Sequence, residues 1–221
     1  MRAIVAVCSD WGIGNKGQLL VNNREDMRHF VRYTKGGIVL MGRSTLDSFP
    51  GGRALKERRN IVLTRQSDFC REGVECAASV EEALELVSSE QPNKVWVIGG
   101  SSVYRQLLPY CSEVVVTKND CLRPADAFFP NLDEDPSWQL SECGVVFQHP
   151  KLLPVLGPVN GVARHLGSGG VAQQVVAHIV AKGDIARPRI RREQAGATLG
   201  ISRHHDSIHR RGRSELVVHL P

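Results

Sequence analysis

The residues best suited to chemistry stand at four points of the chain. Asp26 lies in NNREDMRHF, at the opening of a helical stretch. An acid in a first helical turn ordinarily answers only the helix dipole, and that suffices for Glu25. Asp26 differs because its spacing from Met27, Phe30 and Val31 turns it toward the apolar side, where a carboxylate must be paired or functional. Two glycine-bearing turns come next. VWVIGGSSVYRQL runs a strand into Gly99 and Gly100 and opens a helix through Ser101, Ser102, Val103 and Tyr104. IVLMGRSTLDSF sets Gly42, Arg43, Ser44 and Thr45 at the same kind of junction. Bare backbone N–H groups at a positive helix end suit an anion such as phosphate. One such turn says little, since glycine also serves tight turns, but two in one sheet point to a ligand. Neither reads GxGxxG, so the usual dinucleotide fingerprint is absent. Finally, NIVLT ends at Thr64 with Arg65 following. A hydroxyl beside a guanidinium can grip a phosphate monoester, although a single Arg at such a place is ordinarily a surface residue.

The elements that position these groups alternate. Short apolar, β-branched runs at 3–8, 37–41, 60–64, 94–98 and 113–117 have the length of buried strands. Helical stretches at 24–34, 44–48, 80–88 and 101–108 lie between them, and Ser79 with Glu82 forms a capping-box pattern. The alternation predicts an α/β fold with a mainly parallel sheet covered on both faces. Ligands of such sheets sit beyond the carboxyl ends of the strands, where all the turns named above fall.

With 221 residues, 42% hydrophobic and 23% charged, the chain has the composition of a globular protein and not of a disordered, collagen-like or coiled-coil one. No apolar run approaches the roughly 18 residues of a membrane span, and the N-terminus reads as a first strand and not a secretion signal, so the cytoplasm is the expected compartment. The six Cys show no metal-ligand spacing and read as reduced, buried thiols; no metal is expected. The charge is uneven. Residues 1–150 carry 17 Lys and Arg against 19 Asp and Glu, and residues 151–221 carry 11 against 4. The second stretch is therefore the basic one, and it lacks Phe, Tyr, Trp, Cys and Met altogether. Without aromatics it has little to close a core around. Its Arg clusters, at 189, 191 and 192 and at 210, 211 and 213, have no interleaved aromatics for base stacking. A solvated tail accounts for them better than a nucleic-acid arm does. His205 and His209 have helical metal-ligand spacing but no helix signal and no third ligand.

Taken together, the motifs AVCSDWGIGNKGQLL, EDMRHF, IVLMGRSTLDSF, ERRNIVLT, VWVIGGSSVY, VVVTKND and DAFFP, all in order between residues 1 and 138, resemble those of dihydrofolate reductase of the bacterial chromosomal type. The resemblance extends over about residues 1–147 and leaves 148–221 as an unmatched extension. It implies a mostly parallel eight-stranded central sheet flanked by four helices. It implies reduction of 7,8-dihydrofolate to tetrahydrofolate with NADPH, in support of one-carbon and thymidylate metabolism. Antifolate inhibitors, trimethoprim among them, would be further ligands of a monomeric protein. By the same resemblance Asp26 is the ionisable group of the pterin pocket and the catalytic residue, with Thr117 supporting that edge. Ile4, Val5, Met27, Phe30, Phe49, Leu55 and Ile98 line the folate slot, and Arg58 of ERRN receives the α-carboxylate of the glutamate tail, where a planar fork suits better than Lys. Ala6, Ile13 and Gly14 lie near the nicotinamide. Gly42, Arg43, Ser44, Thr45, Thr64, Arg65, Gly99, Gly100, Ser101, Ser102, Val103 and Tyr104 surround the phosphates and adenosine.

Three departures stand out. Leu20 and Val21 occupy the place of the family's usual Pro-Trp, and Arg65 stands where many members have Ser. The third departure is at the end. Trp138 begins the family's final hairpin, but nothing after Phe147 matches its return strand, and the change of composition is what a shifted reading frame in a GC-rich gene would produce. Loss of that strand would expose a sheet edge; the Val-rich pieces at 175–180 and 216–219 are the segments available to replace it. The rival readings are a protein that binds NADPH or folate without turnover, through loss of the last strand, and a riboflavin-pathway reductase of the same fold.

Overall fold

The structure is a computed structural model, described here for residues 1–149 and 172–182. Its five central strands are β1 (Arg2–Val7), β4 (Ile38–Gly42), β5 (Arg59–Leu63), β7 (Val95–Gly99) and β8 (Glu113–Asn119). The others are β2 (Gly12–Asn15), β3 (Gln18–Leu19), β6 (Val74–Ala77), β9 (Ala127–Phe128), β10 (Trp138–His149) and β11 (Ala172–Ala181). The α-helices are α1 (Arg24–Thr34), α2 (Arg43–Asp47), α3 (Val80–Leu86) and α4 (Ser101–Leu107).

Eight strands form one sheet in the order β10-β11-β8-β1-β7-β4-β5-β6, and β3, β2 and β9 form a small second sheet. From β8 to β6 every pairing is parallel. These strands are apolar on both faces because both are covered. Alternation along them divides the core in two. Ala3, Val5 and Val7 pack with Val97, Val114 and Val116 on one face. Ile4 packs with Trp96, Ile98, Val115 and Val176 on the other. The helix starts follow their local chemistry. Asn23 caps α1 by accepting from the Glu25 amide at 2.9 Å. Ser79 caps α3 through the Glu82 amide, and the Glu82 carboxylate reaches back to the Ala78 amide at 2.7 Å.

The expected exposed edge is not there. β11 lies between β10 and β8, antiparallel to both, with Val180 opposite Glu113 and Gln174 opposite Asn119. Its Val176, Ala177 and Ile179 are buried. The compact unit accordingly spans Met1–Pro188, past the composition change at 147. The strand needs no aromatic because the slot between two strands is filled by alternating Val, Ile and Ala. Of the two Val-rich pieces, 175–180 is the one in the sheet, whereas 216–219, the Arg clusters and His205 and His209 lie outside the described residues. A buried polar chain fixes the register of β11: Asn23 donates to Gln174, which donates to Asn119, which donates to the Val7 carbonyl at 3.0 Å. We expect Gln174→Leu to strand two buried amides and lower stability by about 1–3 kcal/mol, read as a shift of the urea midpoint at unchanged slope; an unshifted midpoint would show that the chain is not structural.

Candidate active site

Asp26 sits in the first turn of α1, on the sheet side of the helix. The buried side of α1 is not the stripe of Met27, Phe30 and Val31 expected from spacing. Met27 and Val31 are 43% and 40% exposed, and the residues turned to the sheet are Asp26, Phe30, Tyr33 and Thr34, at i, i+4, i+7 and i+8. Tyr33 sets this rotation by meeting Trp96 edge-on at 5.4 Å between ring centroids. Burial pushes the Asp26 carboxyl above the usual carboxylate range, while a hydrogen bond from the Thr117 hydroxyl and the neighbouring His29 pull it back in part. Thr117 is buried opposite Ala6 on β1, so the pair closes one end of a cleft between α1 and the strands. His29, which the sequence did not single out, lies one turn along α1. Burial disfavours its protonation, and its Nε2 is buried without a hydrogen-bond partner among the described residues.

The walls of the cleft come from the Ile4 face of the sheet. Ile4 and Ile98 are buried there, with Phe30, Phe49 and Leu55 packed half-buried against the same cluster. Val5 is not brought to this wall. Strand alternation sends its side chain to the opposite core, and Met27 joins neither cluster. At the far end Arg58 lies over the Phe30 ring, 5.8 Å from its centroid. Its Nε donates to the Thr34 hydroxyl at 2.8 Å and one Nη to the Lys56 carbonyl at 2.9 Å, while Nη2 is buried with no partner among the described residues. Burial disfavours its charge. A guanidinium anchored on one side with a buried N–H left over is arranged to receive an anion.

The second half of the site is a ledge of three adjacent strand ends. In the parallel register Met41 stands beside Gly99 and Gly42 beside Leu63. The two glycine turns and Thr64–Arg65 are therefore neighbours. A Cβ on Gly42 would meet Val103 at 3.2 Å, and one on Gly100 would meet the Thr45 hydroxyl at 3.4 Å. Gly99 has φ +119°, a conformation L side chains rarely adopt, and a Cβ there would press on the Tyr104 ring at 3.2 Å. The Gly99–Gly100 peptide is cis. Neither α2 nor α4 carries a side-chain cap, so their first amides are not satisfied by a cap of their own. Ser44, Ser102, Arg43 and Arg65 are exposed along the ledge. Tyr104 is buried and donates to the Ile4 carbonyl at 2.7 Å, joining ledge to cleft. Gln66, which the sequence gave no reason to notice, accepts from Arg43. Ile13, on β2, is buried in the same cluster as Val5 and so on the face opposite the Ile4 wall; its carbonyl accepts from the Leu20 amide at 3.3 Å, Leu20 and Val21 are buried, and Gly14 stands beside Ile13 in the strand. Among the described residues no cluster of His, Cys, Asp or Glu has the arrangement of a metal site.

The sequence pattern of the dihydrofolate reductase family matches residues 1–146. The chain belongs to the dihydrofolate reductase family. Dihydrofolate reductase of Mycobacterium tuberculosis strain H37Rv is 41% identical over 145 residues, 62% of this chain and 86% of the relative. That of Neisseria meningitidis strain MC58 is 36% identical over 140 residues, covering 63% and 84%. Among solved structures, dihydrofolate reductase of Enterococcus faecalis, in complex with NADP(H) and RAB-propyl, superposes with a TM-score of 0.64 at 27% identity over 82% of this chain and 96% of its own. The structural match to this dihydrofolate reductase thus reaches further along the chain than either sequence match.

Proposed function

We propose that the Asp26 cleft takes the pterin of dihydrofolate, that Arg58 takes its glutamate, and that the ledge of strand ends takes NADPH, so that the protein makes tetrahydrofolate. The observation that carries this reading is a buried carboxylate, hydrogen-bonded to Thr117, in an apolar slot beside a ledge shaped for phosphate. The ledge fits a dinucleotide. Its glycines stand where a Cβ would crowd Val103, Tyr104 or Thr45, its two helix starts carry no side-chain cap, and Arg43 and Arg65 supply positive charge. Bound NADPH supplies a hydride to C6 of the pterin. The protein's part is alignment, exclusion of water and control of one proton.

Asp26 meets the pterin 2-amino group and N3, and its negative charge favours the substrate protonated at N5. Thr117 fixes the orientation of the carboxylate, and Ala6 in the same register brings backbone close to the ring. Phe30, Ile4, Ile98, Phe49 and Leu55 form the dry walls, with Met27 and Val31 at the rim. Ile13 and Gly14 cover the nicotinamide side. Filling of the sheet by β11 removes the physical ground for a protein that binds without turnover. Among the described residues no helix is long and apolar enough to cross a membrane; we place the enzyme in the cytoplasm as a monomer, with small molecules, antifolates included, as its partners.

A melting experiment tests the ligand set. NADPH and folate should each raise the midpoint in a concentration-dependent way, and a midpoint indifferent to both would refute the reading. Arg65 tests the assignment of the ledge. If it meets the phosphate monoester, Arg65→Ala should cut the preference for NADPH over NADH roughly tenfold, the lower range for hydrogen bonds to charged groups. An unaltered ratio of kcat/KM values would make Arg65 a plain surface residue.

A further inference from the structure

The cleft and ledge leave one buried pair of reactive groups unused. Cys8 follows the last residue of β1, and Cys121 lies just beyond the end of β8. These strands are adjacent and parallel, with Val7 opposite Lys118, so the two cysteines emerge at the same end of the sheet. Their sulfurs are 3.0 Å apart. A disulfide needs about 2.05 Å, so an approach of roughly one ångström would suffice. We propose that Cys8 and Cys121 are a modification site, a reversible disulfide formed by a hydroperoxide and reopened by a thiol.

The surroundings suit the bond. Cys8, Cys121, Leu20 and Val21 form a small buried cluster with Ala125 packed against it, and a disulfide carries neither charge nor S–H into that apolar setting. The two sulfurs are within hydrogen-bond distance, and either S–H can donate to the other. This contact, with Arg123 nearby, lowers the Cys121 thiol from its ordinary value, the same contact with burial raises Cys8, and Asp10 opposes Arg123 at both. Cys121 is therefore assigned as the nucleophile. Its thiolate attacks the terminal oxygen of the hydroperoxide and becomes a sulfenic acid as alkoxide, or hydroxide from hydrogen peroxide, leaves and takes up the proton the thiol released; the Cys8 thiol then attacks that sulfur and water leaves. Two thiols lose two electrons, and the hydroperoxide takes them.

The bond would join the roots of two segments already zipped together. The Ser9 amide donates to the Cys121 carbonyl at 2.9 Å, Asn15 to the Pro124 carbonyl at 2.7 Å, the Lys16 amide to Asp126 at 2.7 Å and Arg123 to the Leu20 carbonyl at 2.9 Å. The disulfide would make this zipper covalent at its base and close a long loop of the unfolded chain, which raises the melting midpoint.

The full-length protein, treated with hydrogen peroxide, quenched and denatured, should show its six thiols reduced by two. Peptide mapping should find residue 8 linked to residue 121, the midpoint should rise, and dithiothreitol should restore both. C8S and C121S should each abolish the linkage, while a variant lacking Cys70, Cys76 and Cys143 should retain it. Six thiols persisting in oxidised wild type, or linkage confined to other cysteines, would overturn the proposal without touching the assignment of the folate site; the wild-type mass and map decide even if a serine variant fails to fold.

Discussion

Asp26→Asn should slow hydride transfer about 10²- to 10⁴-fold at pH 7, the range for general acid–base assistance, while leaving the affinity for NADPH unchanged. The deficit should narrow as the solution becomes acid, because substrate then arrives already protonated. The same substitution should make the protein more stable. Burial raises the carboxyl pKa in the folded state, so the folded protein binds this proton more tightly than the unfolded chain, whose Asp titrates at about 3.9. Stability contributed by the neutral form is present below that value and is lost as pH rises through the raised folded pKa. Asparagine has no charge to bury and still accepts from Thr117. At pH 7 Asp26→Asn should therefore melt higher than wild type, with the difference vanishing at low pH. A variant that is slower and less stable at neutral pH would mean that the carboxylate supports the fold and is not strained by it. Stability given up at a functional group is the ordinary trade in enzymes.

Arg58→Gln should raise KM for dihydrofolate roughly 10- to 100-fold, the equivalent of about 1.5–3 kcal/mol for hydrogen bonds to a charged group, and leave KM for NADPH alone. Arg58 also anchors to Thr34 at the end of α1, so the loss could arise from a shifted helix. A substrate that lacks the glutamate separates the two causes. If Arg58 meets the carboxylate, wild type and variant should process that truncated substrate alike; if the helix has moved, the variant should lose as much on it as on dihydrofolate.

Much of this was legible in the sequence, for identifiable reasons. The β-branched runs became β1, β4, β5, β7 and β8, because parallel strands buried on both faces leave unbroken apolar runs; three of the four helices fell within the expected stretches, and α2 begins one residue earlier, at Arg43. The glycine turns and Arg65 could be placed at strand ends, which lie adjacent in the sheet, because composition marks where strands end. The rotation of α1 was legible only in part: Asp26 and Phe30 face the sheet as their spacing indicates, but Met27 and Val31, which look like core by spacing, are turned outward as Tyr33 packs against Trp96. Val5 was grouped with Ile4 although a strand separates neighbours to opposite faces. The tail strand was legible only as one of two Val-rich candidates, since Val, Ile and Ala fill an interior slot without the aromatics on which the reading relied, and the polar chain from Asn23 through Gln174 to Asn119 joins residues far apart in sequence. The contact between Cys8 and Cys121 is likewise a product of strand order.

The most direct test of the central claim is steady-state turnover by the full 221-residue chain, followed as dihydrofolate-dependent loss of reduced nicotinamide absorbance, beside Asp26→Asn at neutral pH. The account predicts turnover in the wild type, abolished by a diaminopyrimidine antifolate and nearly lost in the variant. Binding of both ligands without turnover, or a variant as fast as wild type, would contradict it.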